Sequence, residues 1–146
     1  MQKISVGAII ALAATGIFLS LVTAGLIATQ TVTSNGTVSA VNVGVYSDIA
    51  CTQNLTSIPW GTLYPGNSTT RTIYVKNTGT LPVTLTMTNG SWVPTTANTV
   101  LTLTWNRQST VLNAGQSISA TLTLTAASST GSLTDFSFNI IITGAE

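Results

Sequence analysis

A strict alternation of apolar residues with Thr or Ser constrains the fold of this chain more than any other feature. The clearest examples are residues 81–88, 99–105 and 117–125. Because successive side chains of a β-strand point to opposite faces of a sheet, the pattern predicts antiparallel strands with one face in a core and one in solvent. Threonine suits the outer face, since its β-branched side chain favours extended backbone and remains polar.

Further alternating runs cover residues 38–46, 71–76 and 135–142, and a short run covers residues 58–63. Turn sequences separate the runs, among them PGN at residues 65–67 and NTG at residues 77–79. The spacing predicts an all-β sandwich of about seven strands.

The N-terminal part is an apolar segment over residues 4–28, without charge or proline and preceded by Lys3. As a helix it would reach roughly 37 Å, which is enough to cross a bilayer. The positive flank predicts that the rest of the chain lies outside the membrane. We therefore expect a long apolar helix within residues 1–33, a polar hinge over residues 30–36 and a β-domain over residues 34–146.

Small residues recur every fourth position along the apolar segment, in two rows. Such rows let helix backbones approach closely and favour association with other helices. The expected helix–helix packing residues are Gly7, Ala11, Thr15, Gly16, Ser20, Ala24 and Ala28. A cleaved signal peptide and a permanent single-span anchor are alternative interpretations of the same segment.

Charge is scarce: the 146 residues include four Lys or Arg, three Asp or Glu and no His, for a net charge of +1. Nucleic-acid binding is disfavoured, because it needs several basic contacts to phosphates. Without His, Ser-His and Cys-His catalytic arrangements and most zinc sites cannot be built. Asp48 and Asp135 are interpreted as solvated turn acids. We expect no enzymatic activity, no metal and no other cofactor.

Solubility must then come from hydroxyl groups, amides and attached sugars. Candidate N-glycosylation sequons occur at Asn35, Asn54, Asn67 and Asn89. The scarcity of titrating groups also predicts a stability that changes little with pH.

Four further residues could carry chemistry, but packing is the favoured interpretation of each. Trp60, Trp92 and Trp105 could form a carbohydrate-binding platform, yet they flank turns or end an alternating run, which favours burial. Cys51 is the one cysteine of the chain and is interpreted as a small buried hydrophobe.

A family resemblance rests on two segments, LYPGNSTTRTIYVKNTGTLPVTL at residues 63–85 and VLNAGQS at residues 111–117. They resemble immunoglobulin-like domains of archaeal and bacterial cell surfaces. Together with the N-terminal basic residue and apolar segment, the chain resembles archaeal type IV pilins. In that family helices bundle in the filament core, and immunoglobulin-like heads, often glycosylated, form the surface. The usual processing motif is absent, because Lys3 is followed by Ile4, so no cleavage residue is assigned.

These observations predict a structural subunit of an extracellular filament that serves adhesion or surface attachment. Its partners would be copies of itself in a helical homopolymer, covalent glycans and, before assembly, the cytoplasmic membrane. One alternative is a donor-strand fibre, in which the apolar segment is removed and the stretch including residues 38–46 adds to a neighbour's sheet. Another is a membrane-anchored surface binding domain that does not polymerise.

Overall fold

A computed structural model describes residues 33–146, which lie within one compact unit spanning Thr31–Glu146. These residues form nine strands and one short helix. In chain order they are β1 (Thr33–Val41), β2 (Gly44–Tyr46), β3 (Ser57–Pro59), β4 (Ser68–Lys76), β5 (Val83–Val93), α1 (Ala97–Val100), β6 (Leu101–Trp105), β7 (Val111–Leu112), β8 (Ser117–Ala126) and β9 (Asp135–Ala145).

The strands form two sheets whose inward side chains share one apolar core. The five-stranded sheet has the order β3-β1-β9-β5-β7, and the four-stranded sheet has the order β2-β4-β8-β6. Leu85 and Ile140 of the first sheet and Val75 and Leu122 of the second are completely buried in this core. Removal of these side chains from water is the main force that holds the sheets together.

Strand β8 shows how the alternating sequence produces this arrangement. Its inward residues Ala120, Leu122 and Leu124 are buried, while Thr123 is half-buried and Thr125 is exposed on the other side. The same alternation continues in β6 and β9. The residues that a period of two assigns to the core are therefore the ones that the fold buries.

The predicted fold class, a long apolar helix followed by an antiparallel immunoglobulin-like sandwich of about seven strands, is wrong. The described residues are mostly β-strand in two sheets, and their one helix, α1, has four residues. No helix within residues 33–146 has the length and apolar character to cross a membrane. The segment predicted to be the long helix lies outside the described residues, with its expected packing residues Gly7, Ala11, Thr15, Gly16, Ser20, Ala24 and Ala28.

Two further differences concern the first predicted strand, residues 38–46. Asn42 has a φ of 59°, in the left-handed region, so the extended chain is interrupted there. As a result β1 and β2 are separate strands in opposite sheets. Strand β1 also begins at Thr33, within the stretch expected to be a hinge, and it runs parallel to β9. Sequence alternation assigns residues to faces but does not identify the neighbouring strand.

Candidate functional surface

The outer side of the four-stranded sheet is covered by hydroxyl-bearing side chains, and we call this surface the hydroxyl face. It consists of alternate residues of β4, β6 and β8, whose remaining residues largely point into the core. Its members are Ser68, Thr70, Thr72, Thr102, Thr104, Thr121, Thr123 and Thr125. Thr121 and Thr123 are half-buried by their neighbours, and the other six are exposed.

Strand register aligns these residues in rows across the sheet. Thr123 is the partner of both Thr70 and Thr104, and Thr125 is the partner of Ser68. Directly opposed side chains on antiparallel strands have Cβ atoms about 4.5–5.5 Å apart. The hydroxyl oxygens of Ser68 and Thr125 are 2.8 Å apart and share a hydrogen bond. The result is a regular array of hydroxyl and methyl groups.

The rows of the hydroxyl face contain no charged residue. Of the two charged residues of β4, Arg71 alternates with the members of the face and donates hydrogen bonds to Pro59 and Trp60, and Lys76 lies at the end of the strand. For comparison, charged residues make up about 25–35% of the surface of a protein designed to be soluble. Removing an ion from water costs several kcal/mol, whereas a hydroxyl can exchange a water for another hydrogen-bonding group. The hydroxyl face can therefore be covered by another uncharged polar surface without stripping water from an ion.

The outer side of the five-stranded sheet has a similar character. Thr86 of β5 pairs with Thr143 of β9, and Thr88 pairs with Ile141, which is 37% exposed. The charged residue of β9 is Asp135 at its first position. Both outer sides of the two sheets thus consist largely of uncharged side chains.

All four predicted sequon asparagines are exposed, as an N-glycosylation acceptor must be. Asn35 lies on β1, Asn54 forms an isolated bridge with Tyr46, and Asn67 lies directly before β4. Asn89 lies on β5, where its Oδ1 accepts a hydrogen bond of 3.0 Å from the indole N–H of Trp92. Exposure is consistent with modification at these sites, and their glycosylation stays a prediction.

Two of the three tryptophans pack in the core, as their sequence positions indicate. Trp60 is 1% exposed and Trp92 is 7% exposed. Phe138 stacks against both, with ring centroids 6.2 Å from Trp60 and 4.1 Å from Trp92. These two indoles are therefore unavailable as a carbohydrate-binding platform.

Trp105 differs, because it is half-buried and lines an open groove of about 240 Å³ between β5 and β6. Its indole N–H donates to Oε1 of Gln108 at 2.8 Å, and the backbone N–H of Met87 donates to the same oxygen at 3.1 Å. The interpretation of Trp105 as a core residue is therefore only partly correct. The indole N–H of Trp105 and the side-chain oxygen of Gln108 are thus already hydrogen-bonded within the protein.

Asp48 organises the loop between β2 and β3. Its carboxylate accepts hydrogen bonds from the Thr52 hydroxyl at 2.7 Å and from the backbone N–H of Gln53 at 2.8 Å. These bonds, with the Thr52 hydroxyl first, lower the pKa of Asp48 below its ordinary value of 3.8. Cys51 lies in the same loop with a φ of 54° and is half-buried, so its interpretation as a core hydrophobe is wrong.

Asp135 is exposed at the start of β9 and accepts a hydrogen bond of 3.3 Å from the hydroxyl of Thr134. Among residues 33–146, no group of three or more His, Cys, Asp or Glu side chains could hold a metal ion.

No protein-family model matches this chain, and no curated protein is similar to it in sequence. The resemblance to archaeal type IV pilins therefore remains a prediction from the segments that carry it.

Proposed function

We propose that this protein is a structural subunit of an extracellular filament, in which β-domains of successive copies pack against one another. The observation that carries the proposal is the hydroxyl face, a regular surface of eight aligned Ser and Thr residues without a charge in its rows. A filament brings the same surfaces together many times. A surface that is covered without desolvating ions suits such repeated contacts.

The net charge of the chain also favours assembly. Like charges on identical subunits repel, and a large net charge keeps proteins apart in solution. This chain has a net charge of +1. Copies can therefore approach without a long-range electrostatic barrier.

The extracellular location is supported by the four exposed sequons and by the positive flank of the apolar N-terminal segment. Exposed Ser and Thr hydroxyls and glycans would replace charged side chains as the groups that face water. An exterior made of such groups is suited to adhesion, which we propose as the role of the filament.

Electron microscopy of shed surface material, with antibodies against the β-domain, tests the proposal. We expect labelled filaments from cells that produce the protein. Its extraction as a monomer, from cells without labelled filaments, would overturn the proposal and favour a membrane-anchored binding domain.

A charge in the hydroxyl face supplies a second test. Thr70 is exposed at one end of the row that it forms with Thr123 and Thr104, so Thr70→Lys should leave the fold intact but reduce filament yield. Thr70→Ser keeps the hydroxyl and should assemble normally. Thr95→Lys adds the same charge at an exposed turn outside both sheets and serves as the matched control.

A further inference from the structure

The pair of β1 with β9 is parallel, whereas the other strand pairs of the described residues are antiparallel. Strand β1 lies between β3 and β9, so these two strands are joined through it. All nine of its residues pair with β9 in parallel, from Thr33 with Asp135 to Val41 with Thr143. It also pairs with β3 in antiparallel orientation. We call the position between β3 and β9 the β1 slot.

Gly36 is the residue of β1 that the β1 slot accommodates most specifically. Gly36 is buried, and a Cβ atom added to it would lie 3.1 Å from Nε1 of Trp60 and 3.3 Å from Cδ1 of Ile140. Larger side chains at this position would require the core to move. The slot therefore selects a strand with glycine at this register, and β1 of any copy of this chain satisfies that condition.

The contacts of β1 within its own domain leave polar groups unsatisfied. The hydroxyl oxygen of Ser34, on β1, is buried without a hydrogen-bond partner, and so is Nε1 of Trp60 beneath the strand. Buried polar groups without partners oppose burial. The strand thus fills the slot in a specific register while making an incomplete set of side-chain hydrogen bonds.

The connection from β1 to the rest of the domain is short. Asn42 and Val43 alone link β1 to β2 in the opposite sheet, and Asn42 has the left-handed φ of 59°. Asn is one of the few residues other than glycine that adopt this conformation readily, so the chain can turn at this position. A connection of two residues is a short hinge, and short hinges invite exchange of the element that they join. If Asn42 became extended, residues 38–46 would run as the one continuous strand that their alternation predicts.

We propose that β1 is exchanged between subunits, so that β1 of one copy occupies the β1 slot of the next. The inference rests on the proposed function and identifies the link between successive subunits. Such an exchange joins two different surfaces, and a contact of that kind extends into an open chain when its rotation does not close. Main-chain pairing with β9 and β3 supplies affinity, and Gly36 over Trp60 sets the register.

Engineered disulfides can distinguish a β1 strand that enters the slot of another subunit from one that stays in the slot of its own subunit. Thr37 of β1 and Ser57 of β3 are partners in the antiparallel register, and both are exposed. Opposed residues at this spacing are within reach of a disulfide. We would replace both by Cys in a Cys51→Ser background of the full chain, collect the surface filaments and oxidise them. A denaturing gel without reductant should show a ladder of covalent oligomers.

The alternative outcomes separate the two proposals. Filaments that yield only monomers with an internal disulfide would overturn exchange and leave the proposed function intact. Monomers with an internal disulfide, from cells without filaments, would overturn both. The pair Thr37→Cys and Thr95→Cys is the control, because Thr95 lies in an exposed turn outside both sheets and outside the hydroxyl face, and it should form no ladder.

Mixing two single variants gives an independent readout. Subunits with Thr37→Cys and subunits with Ser57→Cys, both in the Cys51→Ser background, would be dissociated, combined and reassembled. A disulfide that joins the two kinds of subunit is expected only if β1 enters the slot of another copy. Recovery of filaments without this species would overturn the exchange.

Discussion

Asn77 shows, at the scale of single residues, how a polar side chain becomes part of the core. It is completely buried, yet its amide nitrogen donates to the carbonyl oxygens of Leu81 at 2.7 Å and Leu112 at 2.9 Å. Its side-chain oxygen accepts from the backbone N–H of Gly79 at 2.9 Å. The sequence identifies Asn77 as part of a turn, but a partner 35 positions away depends on the tertiary fold.

Replacing Asn77 by Ala should lower the free energy of unfolding by about 1–3 kcal/mol, because it leaves buried backbone groups without partners. Urea denaturation followed by tryptophan fluorescence measures this change. Thr80→Ala, an exposed substitution in the same turn, should change the stability by less than about 0.5 kcal/mol. Equal stability of Asn77→Ala and the unmodified protein would contradict this account of the turn.

At the scale of elements, Arg71 connects strands that belong to different sheets. It lies on β4, and its guanidinium group donates to the carbonyl oxygens of Pro59 at 3.0 Å and Trp60 at 2.8 Å, at the end of β3. It also donates to the carbonyl oxygen of Thr70 at 2.8 Å. A planar group with several fixed donors can make these bonds together, whereas an ammonium group cannot reproduce their geometry.

Arg71→Lys should therefore lower the free energy of unfolding by about 1.5–3 kcal/mol, the range for hydrogen bonds that involve a charged group. Arg107→Lys is a matched control, since Arg107 makes one backbone hydrogen bond, of 2.7 Å, to Ser119. Thermal unfolding of the two variants should separate them clearly. A loss for Arg107→Lys as large as that for Arg71→Lys would contradict this account, because Arg107 loses only one backbone hydrogen bond.

The strands themselves were predictable from the sequence in part. Alternation correctly places the strands around Leu85, Leu122 and Ile140 and the faces that they bury. It does not predict β7, which has two residues, or the break at Asn42, because the period of two continues through position 42. The hydroxyl face is predictable as a set of residues, but its rows depend on the register between strands distant in sequence.

At the scale of the whole molecule, the response to pH should depend on very few groups. With no His in the chain, no side chain has an ordinary pKa near neutrality. The pKa of Asp48 is lowered in the folded state, so the unfolded state binds its proton more readily. Stability from this group is present above pH 3.8 and is lost as the pH falls through the lower folded-state value.

We therefore expect the melting temperature to be nearly constant between about pH 8 and pH 5 and to decline slightly only in stronger acid. Asp48→Asn should remove that part of the acid decline, because the amide does not titrate. Circular dichroism melts across the pH series measure both effects. A large loss of stability between pH 8 and pH 5 would contradict the prediction.

The absence of charge in the rows of the hydroxyl face also affects how contacts through this face respond to salt. At moderate ionic strength, dissolved salt screens the attraction between exposed charges that are more than about 8–10 Å apart, and it weakens protein assemblies that depend on charge attraction. The rows of Ser and Thr carry no charges that salt could screen. Contacts made through them should persist in fresh water and in brine alike.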